Sequence, residues 1–455
     1  MILASPIRRT RALSVACLLV ALSACSSAPT VSSVRSEARE PGDLPLMRQV
    51  MGVVERKYVV PVPEDKLQTQ ALKGMLSGLD PHSDYLDEQE YQQMQSDLHG
   101  QFGGIGIEIT LQNGVPSVIS PIDGTPAAEA GIQPGDLIVK IDGQPTNRVS
   151  LDEIVKHLRG TVGTAVKIQI VRTNQKPIDV TLTRRTIVVQ SVKSHLAAAG
   201  IGYIRITTFG ESTADDFEDA VDRLKKQAGG SLRGLVLDLR NNPGGLLDSA
   251  VNIAGEMLDG GVVVTTHGRD KGDDQVYSAP RGANHLGTTP IVVLINAASA
   301  SAAEIVAGAL QDRGRGLVMG TRSFGKGSVQ SVMRVPGHGA VRLTTSRYYT
   351  PGGHSIQDRG IMPDVAVSVP KNEQVTNASL IVREEDLHGA LENTGSLDGA
   401  RTPNPGTTAP VIQTAVPNTD EAPINPALLG GERDTQLAAA VRRLQQSPLR
   451  TARQP

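Results

Sequence analysis

Five apolar residues, Ile291–Ile295, run without a break into Asn296-Ala297-Ala298-Ser299-Ala300-Ser301-Ala302-Ala303-Glu304. An apolar run of this length predicts a buried strand. Ile305, Ala309 and Leu310 then continue an apolar face at helical spacing. The chain therefore passes from a buried strand through small residues straight into a helix. A serine at such a junction is held at the end of a sheet, where backbone N–H groups also converge.

A second stretch, Phe324-Gly325-Lys326-Gly327-Ser328-Val329-Gln330, sets a lysine between glycines. Three readings of the pair compete. In one, a serine is a nucleophile and Lys326 its base. The lysine must then be neutral, against an ordinary pKa of about 10.4, so the site has to desolvate it or crowd it with positive charge. In another, Gly320-Thr321-Arg322-Ser323-Phe324-Gly325-Lys326 is a phosphate loop, but Gly327 stands where Ser or Thr would hold magnesium. In the third, the small residues serve close helix packing and the glycines serve turns.

The surrounding pattern supplies a frame. Strands are expected at 201–206, 235–239, 262–266, 291–295 and 342–349, and helices at 214–227, 246–258 and 302–311. Alternation of this kind predicts an α/β sheet. Upstream, 44–98 carries helical spacing, with Val50, Val53, Val54 and Tyr58 on one face and Leu67, Ala71, Met75 and Leu79 on the next. Residues 102–185 read as a compact β-rich module with a short helix at 151–158. A last helix after Asp434 places Leu437, Val441 and Leu444 on one face, ready to dock on a core.

These stretches resemble the carboxyl-terminal processing peptidases, serine proteases of the tail-specific type. That family carries Ser/Thr-Ala-Ser-Ala-Ser-Glu, then Phe-Gly-Lys-Gly-x-x-Gln. The present chain departs only at Ala303, where serine is common. The resemblance implies that Ser301 is the nucleophile, Lys326 its general base and Gln330 the third member, orienting the lysine through its amide oxygen. Ser299 is expected to pack beside the nucleophile. The turn Asp238-Leu239-Arg240-Asn241-Asn242-Pro243-Gly244-Gly245 matches the family's without departure. It implies an oxyanion hole formed by the N–H groups of Gly245 and Ala302. Leu79-Asp80-Pro81-His82-Ser83-Asp84-Tyr85-Leu86 matches a further family turn, in which His82 is expected to make structural hydrogen bonds. The 350–357 and 360–364 segments match another, but His354 stands where arginine is usual, so it is not read as a base.

Phe102-Gly103-Gly104-Ile105-Gly106-Ile107 resembles the carboxylate-binding loop of a PDZ domain, and Gly131-Ile132-Gln133-Pro134-Gly135-Asp136 its most typical turn. The resemblance implies that Gly103, Gly104, Ile105, Gly106 and Ile107 take a substrate's C-terminal end. Free N–H groups would hold the carboxylate, and Ile105 and Ile107 would line the side-chain pocket. Arg159, after the helix, is expected to be solvated.

The first residues are a targeting segment. Arg8, Arg9 and Arg11 precede a short apolar run that ends in Leu22-Ser23-Ala24-Cys25, which resembles a bacterial lipobox. Cys25 would be lipidated and anchor the chain to the membrane. Ser26 after it favours the outer membrane's periplasmic face. The paired arginines leave a twin-arginine route open, and a chain whose lipobox is unused would be secreted.

Composition removes several classes. The chain has two cysteines, Cys17 and Cys25, both in the leader, so the mature chain has no disulfide and no thiolate chemistry. Its nine histidines include no pair three or four apart, so no helical zinc motif exists. A net charge of −2 and 2% aromatics give no footprint for nucleic acid. No Gly-x-Ser-x-Gly elbow points to an α/β-hydrolase.

The expectation is a multidomain α/β protein: leader 1–25, tether 26–42, N-terminal helical region 43–98, PDZ module 99–185, crotonase- or protease-like α/β core 186–370, partly disordered low-complexity linker 371–432 and C-terminal helix 433–447. The function expected is a periplasmic serine endopeptidase that needs no cofactor and no metal. It would cut proteins with apolar C-termini near their tails. An activating adaptor and a homo-oligomer are both compatible with the sequence, which specifies neither. The rivals are a non-catalytic PDZ scaffold and a crotonase-like acyl-transfer enzyme.

Overall fold

The computed structural model describes residues 44–374 apart from 113, 123, 148, 173, 174 and 189, together with 383–395, 424 and 428–446. The leader with Cys25, the tether 26–42 and much of the expected linker lie outside the described residues. The chain divides into two units, 1–64 and 65–455. In the first, helix Pro45–Lys57 opens on a proline and ends on Arg56 and Lys57, basic residues that suit the negative end of a helix. None of its residues is buried.

The larger unit is built on a six-stranded sheet. Strands Ile201–Ile206, Gly234–Asp238, Ile291–Ile295, Gly316–Gly320 and Val365–Ala366 are parallel neighbours in that order, and Val192–Ala198 closes one edge antiparallel. The central strand Ile291–Ile295 is apolar and buried at every position because both faces of the sheet are covered. Leu235, Leu237, Ile291, Val293 and Ile295 join the helices Thr213–Gln227, Leu247–Gly255 and Ala302–Asp312 in one core. Val236, Val292 and Leu294 face the other way, onto Leu437, Ala440 and Leu444 of the C-terminal helix Thr435–Gln446. That helix docks as its apolar stripe predicts, and Asp434 caps it, accepting from the Leu437 N–H at 2.9 Å.

A second sheet carries the lysine stretch. Ser328–Arg334 pairs with the long strand Ala340–Tyr349, which also pairs with Val262–Gly268 and with Asp84–Leu86. The sequence offered only a turn around 79–86. Three of its residues are a strand because Ala340–Arg342 present an edge for them to pair with.

The β-rich module is a sheet of Ile107–Gln112, Val115–Pro121, Leu137–Ile141, Ala165–Val171 and Ile178–Thr183, with Gln144–Pro145 paired to the third. Its own core includes Ile105, Val118, Ile138, Ile154, Ile168 and Ile170. The chain enters through Gln101–Gly104 and leaves through Arg185–Val188, and these two strands pair antiparallel. That ribbon ties the ends of the inserted module together. The expected linker also holds a segment, 383–395, that packs back onto the core. Its bonds are taken up below.

Candidate active site

Strand Ile291–Ile295 delivers the chain to a tight turn that Ser299 holds together. Ser299 is fully buried; its hydroxyl donates to the Leu239 carbonyl at 2.8 Å and accepts from the Asn296 N–H at 2.9 Å. It packs, as expected. Ser301 follows at the cap of Ala302–Asp312 with φ 53° and ψ −115°. A non-glycine residue in that region is strained, and such strain persists only where neighbours over-determine it.

The neighbour that does so is Glu304. Its carboxylate is fully buried and accepts from the Ser301 N–H at 2.8 Å, the Gly325 N–H at 2.7 Å, the Lys326 N–H at 2.9 Å and the Ser323 hydroxyl at 2.5 Å. One side chain thus ties the serine turn to the lysine loop. A further bond runs beside it, from the Phe324 N–H to the Ser299 carbonyl at 3.0 Å. Burial raises Glu304 to about 7 even though these donors favour its charged form. The loop's N–H groups at Gly325 and Lys326 are therefore spent on a carboxylate, which argues against the phosphate-loop reading. Gly327 lies against another turn: a Cβ there would stand 2.2 Å from the Gln357 backbone nitrogen.

Lys326 itself is largely buried. Burial drives it below the ordinary lysine range; Glu384 pulls it up, Arg342 pushes it down, and Glu304 and Asp80 pull it up. Among the described residues its Nζ makes no hydrogen bond to Ser301 or Gln330. The Ser301 side chain interacts with the buried Tyr348 hydroxyl instead, while burial raises Tyr348 well above the ordinary tyrosine range. Gln330 donates its amide to the hydroxyls of Ser328 at 3.0 Å and Thr344 at 3.2 Å. Its oxygen, the group expected to receive the lysine, takes no part in those bonds.

The Asp238–Gly245 turn closes the other side. Asn242 Oδ1 accepts from the Gly244 N–H at 2.8 Å, and the Gly244 carbonyl accepts from the Phe209 N–H at 2.9 Å. Gly244 has φ 103°, and a Cβ on it would lie 2.8 Å from Ser301 Cβ and 3.1 Å from the Ala302 nitrogen. The turn therefore abuts the serine. Among the described residues neither the Gly245 nor the Ala302 N–H has an acceptor; Ala302 directly follows Ser301, and Gly245 follows the glycine that abuts it.

In the β-rich module Gly103 and Gly104 pair with Thr186 and Arg185. The N–H groups of Ile105 and Gly106 have no acceptor among the described residues. Ile105 is buried in the module's core and Ile107 packs against it. Arg159 is not simply solvated. It donates to Asp97 at 2.7 Å and stacks 4.1 Å over the Phe102 ring. The sequence reading missed that because both partners lie on other elements.

Residues 200–367 match the peptidase family S41, and residues 117–172 match the PDZ domain. The chain is 44% identical over 340 residues to a carboxy-terminal-processing protease of Bartonella bacilliformis, an alignment that covers 74% of this chain and 78% of that one. This protein belongs to the carboxy-terminal-processing proteases. It is also 36% identical over 318 residues to the carboxy-terminal processing protease CtpA of Bacillus subtilis, covering 70% of this chain and 67% of that one. Among solved structures it resembles the photosystem II D1 C-terminal processing protease, at 31% identity and a TM-score of 0.44 over 71% of this chain and 92% of that one. The chain is thus an S41 serine protease with a PDZ domain, and proteins are its substrates.

Two residues of this protease site went unread in the sequence. Glu304 was visible as the acid three places after a helix-capping serine, but nothing local showed that it also binds the lysine loop. Glu384 sits in a stretch without periodicity. His82, expected to be structural, does make hydrogen bonds, and one of its partners is Glu384, at 2.8 Å. His354 closes its own turn, its carbonyl accepting from the Thr350 N–H at 3.0 Å.

Proposed function

We propose that this carboxy-terminal-processing protease cuts proteins near apolar C-terminal tails, with Ser301 as nucleophile and Lys326 as general base. The observation that carries this is Glu304, which binds the backbone of both residues and so fixes the serine turn against the lysine loop. Ser301 Oγ attacks the scissile carbonyl carbon as neutral Lys326 takes its proton. The tetrahedral oxyanion accepts from the Gly245 and Ala302 N–H groups. Lys326 then returns the proton to the leaving amine, and the acyl group stays on Ser301. Water, deprotonated by the same lysine, releases the acid. Gln330 turns its amide oxygen toward the ammonium.

The PDZ domain binds the substrate's terminal carboxylate at the 103–107 loop, through the free N–H groups of Ile105 and Gly106. Tethering the tail there raises the local concentration of the nearby peptide bonds at Ser301. The Cys25 leader places the protease in the periplasm on a lipid anchor.

The test is cleavage of an unfolded protein with an apolar C-terminus by the mature chain. Ser301→Ala and Lys326→Ala should each lose activity, by up to about a million-fold in kcat, while melting cooperatively. If either folded variant cuts like the parent, the assignment of that residue is wrong.

A further inference from the structure

The segment 383–395 follows the catalytic core in the chain yet is fastened to the lysine loop. The Glu384 N–H donates to the Phe324 carbonyl at 3.2 Å. Arg383 Nη1 donates to the carbonyls of Arg322 at 2.8 Å and Ser323 at 2.9 Å. Farther along, the Asn393 amide donates to the Gln357 carbonyl, and the Tyr349 and Thr394 hydroxyls pair at 2.9 Å. Both ends of the segment are therefore held against loops of the protease core.

Glu384 is the acid that this segment inserts. Its side chain is 1% exposed. Its carboxylate accepts from His82 Nε2 at 2.8 and 2.9 Å and from Gln357 Nε2 at 3.0 Å. Gln357 Oε1 accepts in turn from the Gly327 N–H at 3.0 Å. Glu384 is thus connected to Phe324 before the lysine and, through Gln357, to Gly327 after it. A carboxylate is costly to bury, and an apolar side chain would fill the same volume without that cost. The charged and titratable groups around the lysine are Glu384 on this segment, His82 and Asp80 on the 80–83 turn, Arg342 on the long strand and Glu304 on the nucleophile helix.

We propose that Glu384 is a positioning residue of the catalytic centre, which holds the 324–327 loop and stabilises the ammonium that forms on Lys326 during the reaction. This rests on Lys326 being the general base. Glu384 touches no reacting atom; it acts through the lysine. Its negative charge favours the protonated lysine, so it also raises the pH at which the resting lysine becomes a base. The segment 383–395 is then a working part of the protease and not a spacer.

The experiment is the pH profile of kcat/KM for the full mature chain on a quenched peptide with an apolar C-terminus. The variants are Glu384→Gln, Glu384→Asp, Lys326→Ala and, as a control on the same segment, the exposed Glu392→Gln. Glu384→Gln should move the rising limb to lower pH by on the order of one unit and lower the plateau; Glu392→Gln should move neither. If Glu384→Gln does not fold, Glu384→Asp carries the test, because its shorter side chain draws the charge back and should give a smaller shift of the same sign. A lowered plateau with the limb unmoved means a merely structural role and overturns the proposal. Full activity in Lys326→Ala would instead overturn the reading of Lys326 as base.

Discussion

Arg240 and Asp434 stand 194 residues apart in the chain and meet through two hydrogen bonds, at 2.9 and 2.6 Å, with neither side chain exposed. Arg240 also grips Asp238, at 2.6 Å, and Gln436, at 2.9 Å. It belongs to the turn that carries Gly244 and Gly245, whereas Asp434 caps the C-terminal helix. Burial alone would raise Asp434, but Arg240 together with the Leu437 and Gly430 N–H groups holds the carboxyl below its ordinary range. The helix is therefore bonded by buried charge to the turn that abuts Ser301.

Asp434→Ala should cost about 3 kcal/mol or more, since removing one partner of a buried pair leaves the other charge partly uncompensated. The guanidinium midpoint should fall, and kcat should fall with it because the turn is no longer held. An unchanged midpoint would show that Asp238 alone satisfies Arg240 and that the helix docks by its apolar face.

The parts legible in the sequence are those whose pattern is local. Ile291–Ile295 and the helix behind it announce themselves through apolar spacing. The C-terminal helix does so through its stripe and its cap. What escaped was set by partners distant in the chain. Asp84–Leu86 is a strand only because Ala340–Arg342 lie beside it. The 383–395 segment has no stripe, since its bonds run to loop carbonyls. The relation of Lys326 to Gln330 could not be read from spacing, because a register shift between Val329 and Gln330 breaks the alternation of the strand.

Glu304→Gln is expected to lower kcat by about a hundredfold, the scale of a misplacement near 1 Å, and to leave substrate affinity less changed. The carboxylate faces four donors from Ser301, Ser323, Gly325 and Lys326. An amide must turn its NH2 toward some of them, and donor then meets donor. Steady-state kinetics beside a melting curve separate this from collapse. Wild-type kcat in the variant would show that the turn and the loop are placed without it.

Gly244→Ala tests the close approach of the turn to Ser301. The added Cβ would come within 2.8 Å of Ser301 Cβ at a φ of 103°, so either the turn or the serine must move. Strain of about 1–3 kcal/mol is expected in stability, with a larger proportional loss in kcat. Reaction with a serine-directed phosphonate is the readout: the rate should drop together with kcat. A variant that is phosphonylated at the wild-type rate would place the turn farther from the serine than the structure does.

The pH dependence follows from the sign of the shift at Lys326. Burial lowers its folded-state pKa, so the unfolded chain holds the proton more tightly than the folded one. Activity that needs the neutral amine must rise with pH through the folded value, which lies below the ordinary value of about 10.4. Between those two values the unfolded state binds more protons, and stability also rises with pH. Lys326→Met removes both effects. It should be inactive, yet more stable than the parent at neutral pH, because the cost of burying a chargeable amine is gone. That advantage should shrink as the pH climbs toward the ordinary lysine value. Activity profiles and melting temperatures over the same pH series check both halves. A parent whose activity is flat from mildly acidic to alkaline pH would rule out Lys326 as the base, whatever the melting curves show.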